Sequence, residues 1–243
     1  MEDQVTVWID RRDDEAFPTA GWESGLPPGI SSAQWPRSRT SGLPLMHGFT
    51  IQVPPRFRAK GADRVALSYF HPGDSESYPC KEAAITRVDA ILAGGALEES
   101  EQGHPFWEAV RDHARASHPA TVYHRDILDH DHAIVWHTEA ELRGPRCPRP
   151  ETPLPEGIDG KAMHLDDPVA TEGRLCFLES QPQRVYIQLG WPLHPVQMEE
   201  DELRDNGFGE MVMEIETDVG GVNYGDGNCQ IDLENGLLDW ACT

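Results

Sequence analysis

Short stretches that alternate apolar with polar positions, or that are rich in β-branched residues, recur along most of the chain. That pattern marks strands buried on at least one face. Residues 5–9 (VTVWI), 47–53 (HGFTIQV), 64–70 (RVALSYF), 121–124 (TVYH), 133–137 (AIVWH), 211–217 (MVMEIET), 229–233 (CQIDL) and 237–241 (LLDWA) fit it. Pro54 and Pro55 end the second stretch, because proline cannot donate to a ladder, and His71-Pro72-Gly73 ends the third. Asn235-Gly236 between the last two is a hairpin signal. In 211–217 the alternation assigns Met211, Met213 and Ile215 to the core, and Glu210, Glu214, Glu216 and Asp218 to water. Helical spacing occurs in two places. Ile85, Val88, Ile91 and Leu92 share a face in 82–92 before the Gly94-Gly95 stop, and Phe106, Trp107, Val110 and Ala114 do so in a helix opened by Pro105. Two stretches, 17–44 and 143–160, hold too much Gly, Pro and Ser for helix or long strand. The first reads as an ordered loop pinned by Trp22 and Trp35, the second as the best internal boundary.

Composition narrows the class. A chain of 243 residues with 38% hydrophobic residues and seven Trp can bury a substantial core as a single domain, while 22 Gly and 20 Pro imply many turns. No apolar run approaches the roughly 20 residues that span a bilayer, and the first residues lack the pattern of a signal peptide, so the expected location is cytoplasmic. Cys80, Cys147, Cys176, Cys229 and Cys242 are odd in number and contain no C-x-x-C pair, which points to free thiols. The formal charge of −22 repels phosphate backbones and anionic membranes, so neither nucleic acid nor a membrane is an expected partner. Residues 196–243 carry 13 acids and one base, Arg204. A cationic protein is therefore the partner this charge suits.

Candidate chemistry is sparse. His124-Arg125-Asp126 resembles the opening of a kinase catalytic loop, but Asp131 stands where that loop needs Asn, and no Gly-rich phosphate loop accompanies it. In an extended segment His130 and His132 share a face, so with Asp129 they could hold a transition metal. No G-x-S-x-G elbow is present, and Cys229 beside the Gly225-Asp226-Gly227 loop could be either a reactive or a buried thiol. Asp226 could ligate a cation, although residues 218–228 do not keep the calcium-loop order.

The run Leu189-Gly190-Trp191-Pro192 through Gln197, followed by the strand at 211–215 and the loop 223–227, resembles the YwqG-like family of bacterial proteins, a domain of unknown function. A fainter echo lies in Gly21-Trp22, Gln34-Trp35-Pro36, the strand at 50–52 and the strand at 66–70. The resemblance implies an α+β fold of two related, mainly antiparallel, sheet-rich halves, an internal duplication at about 1–75 and 161–243. A helical middle segment at about 81–142 would join them. It brings no catalytic residues and no cofactor. The resulting expectation is a non-enzymatic binding protein, of inhibitor or immunity type, that takes a basic protein through Glu199, Glu200, Asp201, Glu202, Trp191 and Asp226. The alternative is a metal-dependent hydrolase or oxygenase using His130, His132 and Asp129.

Overall fold

A computed structural model describes residues 4–10, 18–73, 81–158, 172–178, 187–222 and 224–242. The fold is α+β and mostly antiparallel sheet. Its strands are β1 (Val5–Asp10), β2 (Thr19–Glu23), β3 (Met46–Gln52), β4 (Arg64–His71), β5 (Thr121–Arg125), β6 (Asp131–Thr138), β7 (Gly173–Leu178), β8 (Ile187–Leu189), β9 (Val212–Glu216), β10 (Asn228–Asp232) and β11 (Leu238–Ala241). The helices are α1 (Glu82–Leu92), α2 (Pro105–Ala116), α3 (Glu139–Leu142) and α4 (Glu200–Asp205). Among the described residues no helix is long and apolar enough to cross a membrane.

Among the described residues, all eleven strands join one sheet in the order β11-β10-β9-β8-β1-β7-β2-β3-β4-β6-β5. At its middle β1 and β7 run antiparallel, with Trp8 opposite Cys176. Outward from β1 lie β8, β9 and β10, and outward from β7 lie β2, β3 and β4, so each of these two strands pairs with the set that follows the other in the chain. The connections match as well. Residues 24–45 join β2 to β3 and residues 190–211 join β8 to β9, 22 in each case; residues 53–63 and 217–227, 11 in each case, join the next pair on each side.

The alternation that predicts the strands also decides what each face buries. Phe49, Ile51, Leu67 and Tyr69 from one side and Met213, Ile215, Cys229 and Ile231 from the other meet in one core. They meet because the sheet curls into a nearly closed, barrel-like form in which the β10–β11 turn reaches β5. The Trp240 indole N–H donates to Asp126 at 3.1 Å, and Lys60 Nζ donates to the Glu234 carbonyl at 3.2 Å. The β9–β10 connection fills the interior with Val219, Val222 and Tyr224. Only glycine fits at its apex: Gly220 has φ 63°, and a Cβ there would sit 2.1 Å from the Gly48 carbonyl oxygen. On the opposite face, Phe70, Ala133 and Val135 are covered by Val88 and Ile91 of α1, Phe106 and Val110 of α2, and Trp35 and Leu43 of the 24–45 loop. Trp35 anchors that loop as expected, with its N–H on the Leu45 carbonyl at 2.8 Å.

Several expectations need correction. Residues 81–142 are not simply helical: α1 and α2 lie there, but so do β5 and β6, full members of the sheet. Glu214 does not face water, because the 190–198 segment covers its face of the sheet and leaves it 1% exposed. Trp22 is only partly buried, its ring covered by the Arg146 guanidinium at 4.3 Å. The central strand β7, the strand β8 that pairs with β1, and β2, which lies inside the stretch 17–44 read as a loop, are absent from the sequence-derived strands. Residues 11–17, Cys80 and Asn223 fall outside the described residues. Cys147, Cys176, Cys229 and Cys242 are free thiols, as expected.

Candidate functional site

The face of β8, β9 and β10 turned away from the main core carries a row of polar side chains. Register places Gln188 opposite Glu214 and Glu214 opposite Gln230. Such a row needs partners once covered, and it takes them from itself and from the segment above. Gln230 donates to Glu214 at 2.9 Å and to the Asn228 side-chain oxygen at 2.9 Å. The same Glu214 oxygen accepts the His194 backbone N–H at 2.8 Å, Asn228 donates to the His194 carbonyl at 2.7 Å, and Gln188 donates to the Pro192 carbonyl. Burial pushes the Glu214 carboxyl up in pKa, against the pull of the Gln230 and His194 hydrogen bonds. Residues 192–194 are thus clamped onto the sheet from both sides.

Beyond the clamp the chain turns into α4, whose Leu203 packs with Trp191, Leu193, Phe208 and Val212 in a small core of its own. Trp191 is 8% exposed and donates its N–H to the Gly209 carbonyl at 2.9 Å. This turn and the start of α4 enclose an open cleft of about 510 Å³ lined by His194, Val196, Gln197, Glu199, Glu200 and Glu202 among others. Glu202 is held by accepting the Glu199 N–H at 2.9 Å, and Gln197 donates to the Cys242 carbonyl. Glu200 pairs with Arg204 at 3.4 Å. Three carboxylates thus line a concave surface within the most acidic part of the chain. Of the residues singled out from sequence, Glu199, Glu200 and Glu202 line the cleft and Trp191 supports it. Asp201 is exposed on α4 outside the lining, and Asp226 sits exposed in a separate turn at φ 55°. His194 and Gln197 were missed. Their signal is their place in the Gly190–Gln197 turn, which reads as structural until the cleft is seen.

The histidine cluster gathers on Asp126 rather than on Asp129. His130 Nδ1 and His132 Nε2 each approach Asp126 Oδ2 at 3.4 Å, beside the Trp240 N–H. Asp129 points into solvent, 3.8 Å from Arg125. Among the described residues no group of three or more His, Cys, Asp or Glu is placed to hold a metal ion. The hub is Asp126. Burial opposes its charge, but the hydrogen bonds from His130 and His132 outweigh that and hold its carboxyl far below the usual range; the same bond raises His130. With Asp126 ionised, His132 donates to it and accepts on Nδ1 from the Tyr69 hydroxyl at 2.7 Å, which in turn accepts from Tyr224 at 2.7 Å. Tyr69 and Tyr224 are buried, so this chain satisfies interior polar groups. Cys229 is no reactive thiol: burial drives its pKa upward.

Compared with protein-family models, curated proteins and solved structures, the chain matches none of them.

Proposed function

We propose that this chain is a non-enzymatic, cytoplasmic binding protein of inhibitor or immunity type whose C-terminal cleft takes a basic segment of a partner protein. The observation that carries this reading is the cleft itself, which Glu199, Glu200 and Glu202 line beside the clamped turn at His194. A cleft of about 510 Å³ accommodates one or two side chains rather than a folded surface. The polar floor pins residues 192–194 on one side of the cleft, which limits the ordering entropy lost on binding. The surrounding charge speeds encounter with a cation and repels nucleic acid and anionic lipid.

The same reading includes a YwqG-like origin by internal duplication. The matched order of strands on either side of β1 and β7, and the equal 22- and 11-residue connections, support it. So does the equivalence of Thr50 and Ser68 in β3 and β4 with Glu214 and Gln230 in β9 and β10, polar pairs each flanked by inward apolar residues.

The test is capture of proteins from the native lysate at two ionic strengths, with wild type and a Glu199→Gln/Glu202→Gln variant as baits. Binding by the cleft requires that wild type recover a basic protein at low salt, that high salt release it, and that the variant recover little. Equal recovery by both baits removes the cleft from consideration.

A further inference from the structure

Arg204 is the one base among 13 acids in residues 196–243, and it lies directly on an aromatic face. Its guanidinium carbon is 3.8 Å from the centroid of the Trp191 indole. One terminal nitrogen reaches Glu200 at 3.4 Å and the other Glu210 at 3.1 Å. The Glu200 contact is an ordinary i,i+4 helix pair. The other two are not, since Trp191 precedes the helix and Glu210 follows it. The indole is fixed from behind by its bond to the Gly209 carbonyl and by Leu193, Leu203, Phe208 and Val212. What results is a rigid aromatic platform with a carboxylate on either side, the arrangement that binds a planar cation by stacking and by charge together.

The geometry points to Trp191, Glu200 and Glu210 as a guanidinium-binding cage that the chain fills with its own Arg204. Glu200 belongs both to this cage and to the lining of the cleft, so an arginine entering the cleft meets Arg204 as its competitor. Arg204 is then an internal pseudo-ligand: it keeps the indole covered in the free protein and is displaced when a partner arginine takes its place. The inference rests on the proposed cleft only through the shared Glu200. Its ligand class is a guanidinium, because two flanking carboxylates suit a flat fork of N–H donors better than a compact ammonium.

The experiment is a titration of uniformly ¹⁵N-labelled protein with methylguanidinium chloride, following the Trp191 indole N–H resonance, assigned with Trp191→Phe. In Arg204→Ala the cage stands empty, and the resonance should shift saturably with an affinity about tenfold above that of wild type. Arg204→Lys keeps a cation in place without the planar fork and should fall between the two, which keeps the test available if Arg204→Ala does not fold. Equal titration of wild type and both variants overturns the cage, as does a response to tetramethylammonium as strong as that to methylguanidinium. Loss of lysate capture in Glu199→Gln/Glu202→Gln, with no methylguanidinium binding in Arg204→Ala, removes the cage and leaves the cleft. Methylguanidinium binding in Arg204→Ala, with equal capture by both baits, removes the cleft and leaves the cage.

Discussion

Trp240, in the last strand, donates its indole N–H to the carboxylate of Asp126, in the turn between β5 and β6, at 3.1 Å. The two residues stand at opposite ends of an 11-stranded sheet, so this bond helps to hold the curl shut. Asp126 also accepts the Leu128 and His130 backbone N–H groups at 2.9 and 2.8 Å. Asp126→Ala leaves these donors without an acceptor and should destabilise the protein by about 3 kcal/mol. Urea unfolding at neutral pH measures it, and a loss under about 0.5 kcal/mol would show that the seam holds without Asp126.

Stability should fall steeply in mild acid. Burial lowers the pKa of His47, His113 and His124 to about 4 and of His71 and His137 to about 3, from an ordinary 6.5. A group with a depressed folded pKa binds protons preferentially in the unfolded chain, so its contribution is complete above pH 6.5 and is lost as pH falls toward its folded value. His130 works the other way: its raised pKa adds stability that is complete below 6.5 and lost as pH rises through the folded value. One such group does not offset five. Between pH 7.5 and 5 the loss should be about 1 kcal/mol or more per buried histidine. A urea midpoint independent of pH over that range would contradict it.

Glu214→Gln should be neutral or slightly stabilising at pH 7. The wild-type carboxylate is charged at a cost in a buried position, whereas a glutamine oxygen accepts the same His194 and Gln230 donors. Glu214→Leu removes the acceptor and should cost about 2 kcal/mol. Thermal melts of the two variants distinguish the cases, and a larger loss for Gln than for Leu would overturn the account of the polar floor.

Trp191→Ala should cost roughly 3–5 kcal/mol, because it empties the centre of the small core formed with Leu193, Leu203, Phe208 and Val212. The measurement is chemical unfolding. A neutral result would make Trp191 a surface feature and leave the cleft without its support.

Much of this architecture was legible wherever one face of an element is apolar. Residues 46–52, 64–71, 82–92 and 105–116 fold close to where their periodicities place them, because tertiary packing and local pattern agree there. Glu214 shows where alternation alone misleads. Period two separates two faces, but it does not say which is wet, and here a loop from the preceding connection covers the polar one. The strands β7 and β8 were hidden for a different reason: three to six residues between breaker-rich stretches carry too few periods to stand out, although the sheet is built on them. Glu199, Glu200 and Glu202 were legible from charge. Asp226 and Asp201 share that charge but not the concavity, which only the folded turn creates.

The pairing of β1 and β7 at the middle of the sheet also sets the order in which the sheet can form. β1 emerges first from the ribosome, yet both of its ladder partners, β7 and β8, lie some 165–185 positions further along the chain. Until residue 178 has been synthesised, the nascent chain holds an unpaired strand bearing Val7 and Ile9, and β2 has only β3 beside it; the second edge of β1 stays open until residue 189. Such distant pairing slows folding and leaves apolar strand edges open for as long as translation lasts. Vectorial synthesis therefore commits the sheet to close late, around its own middle.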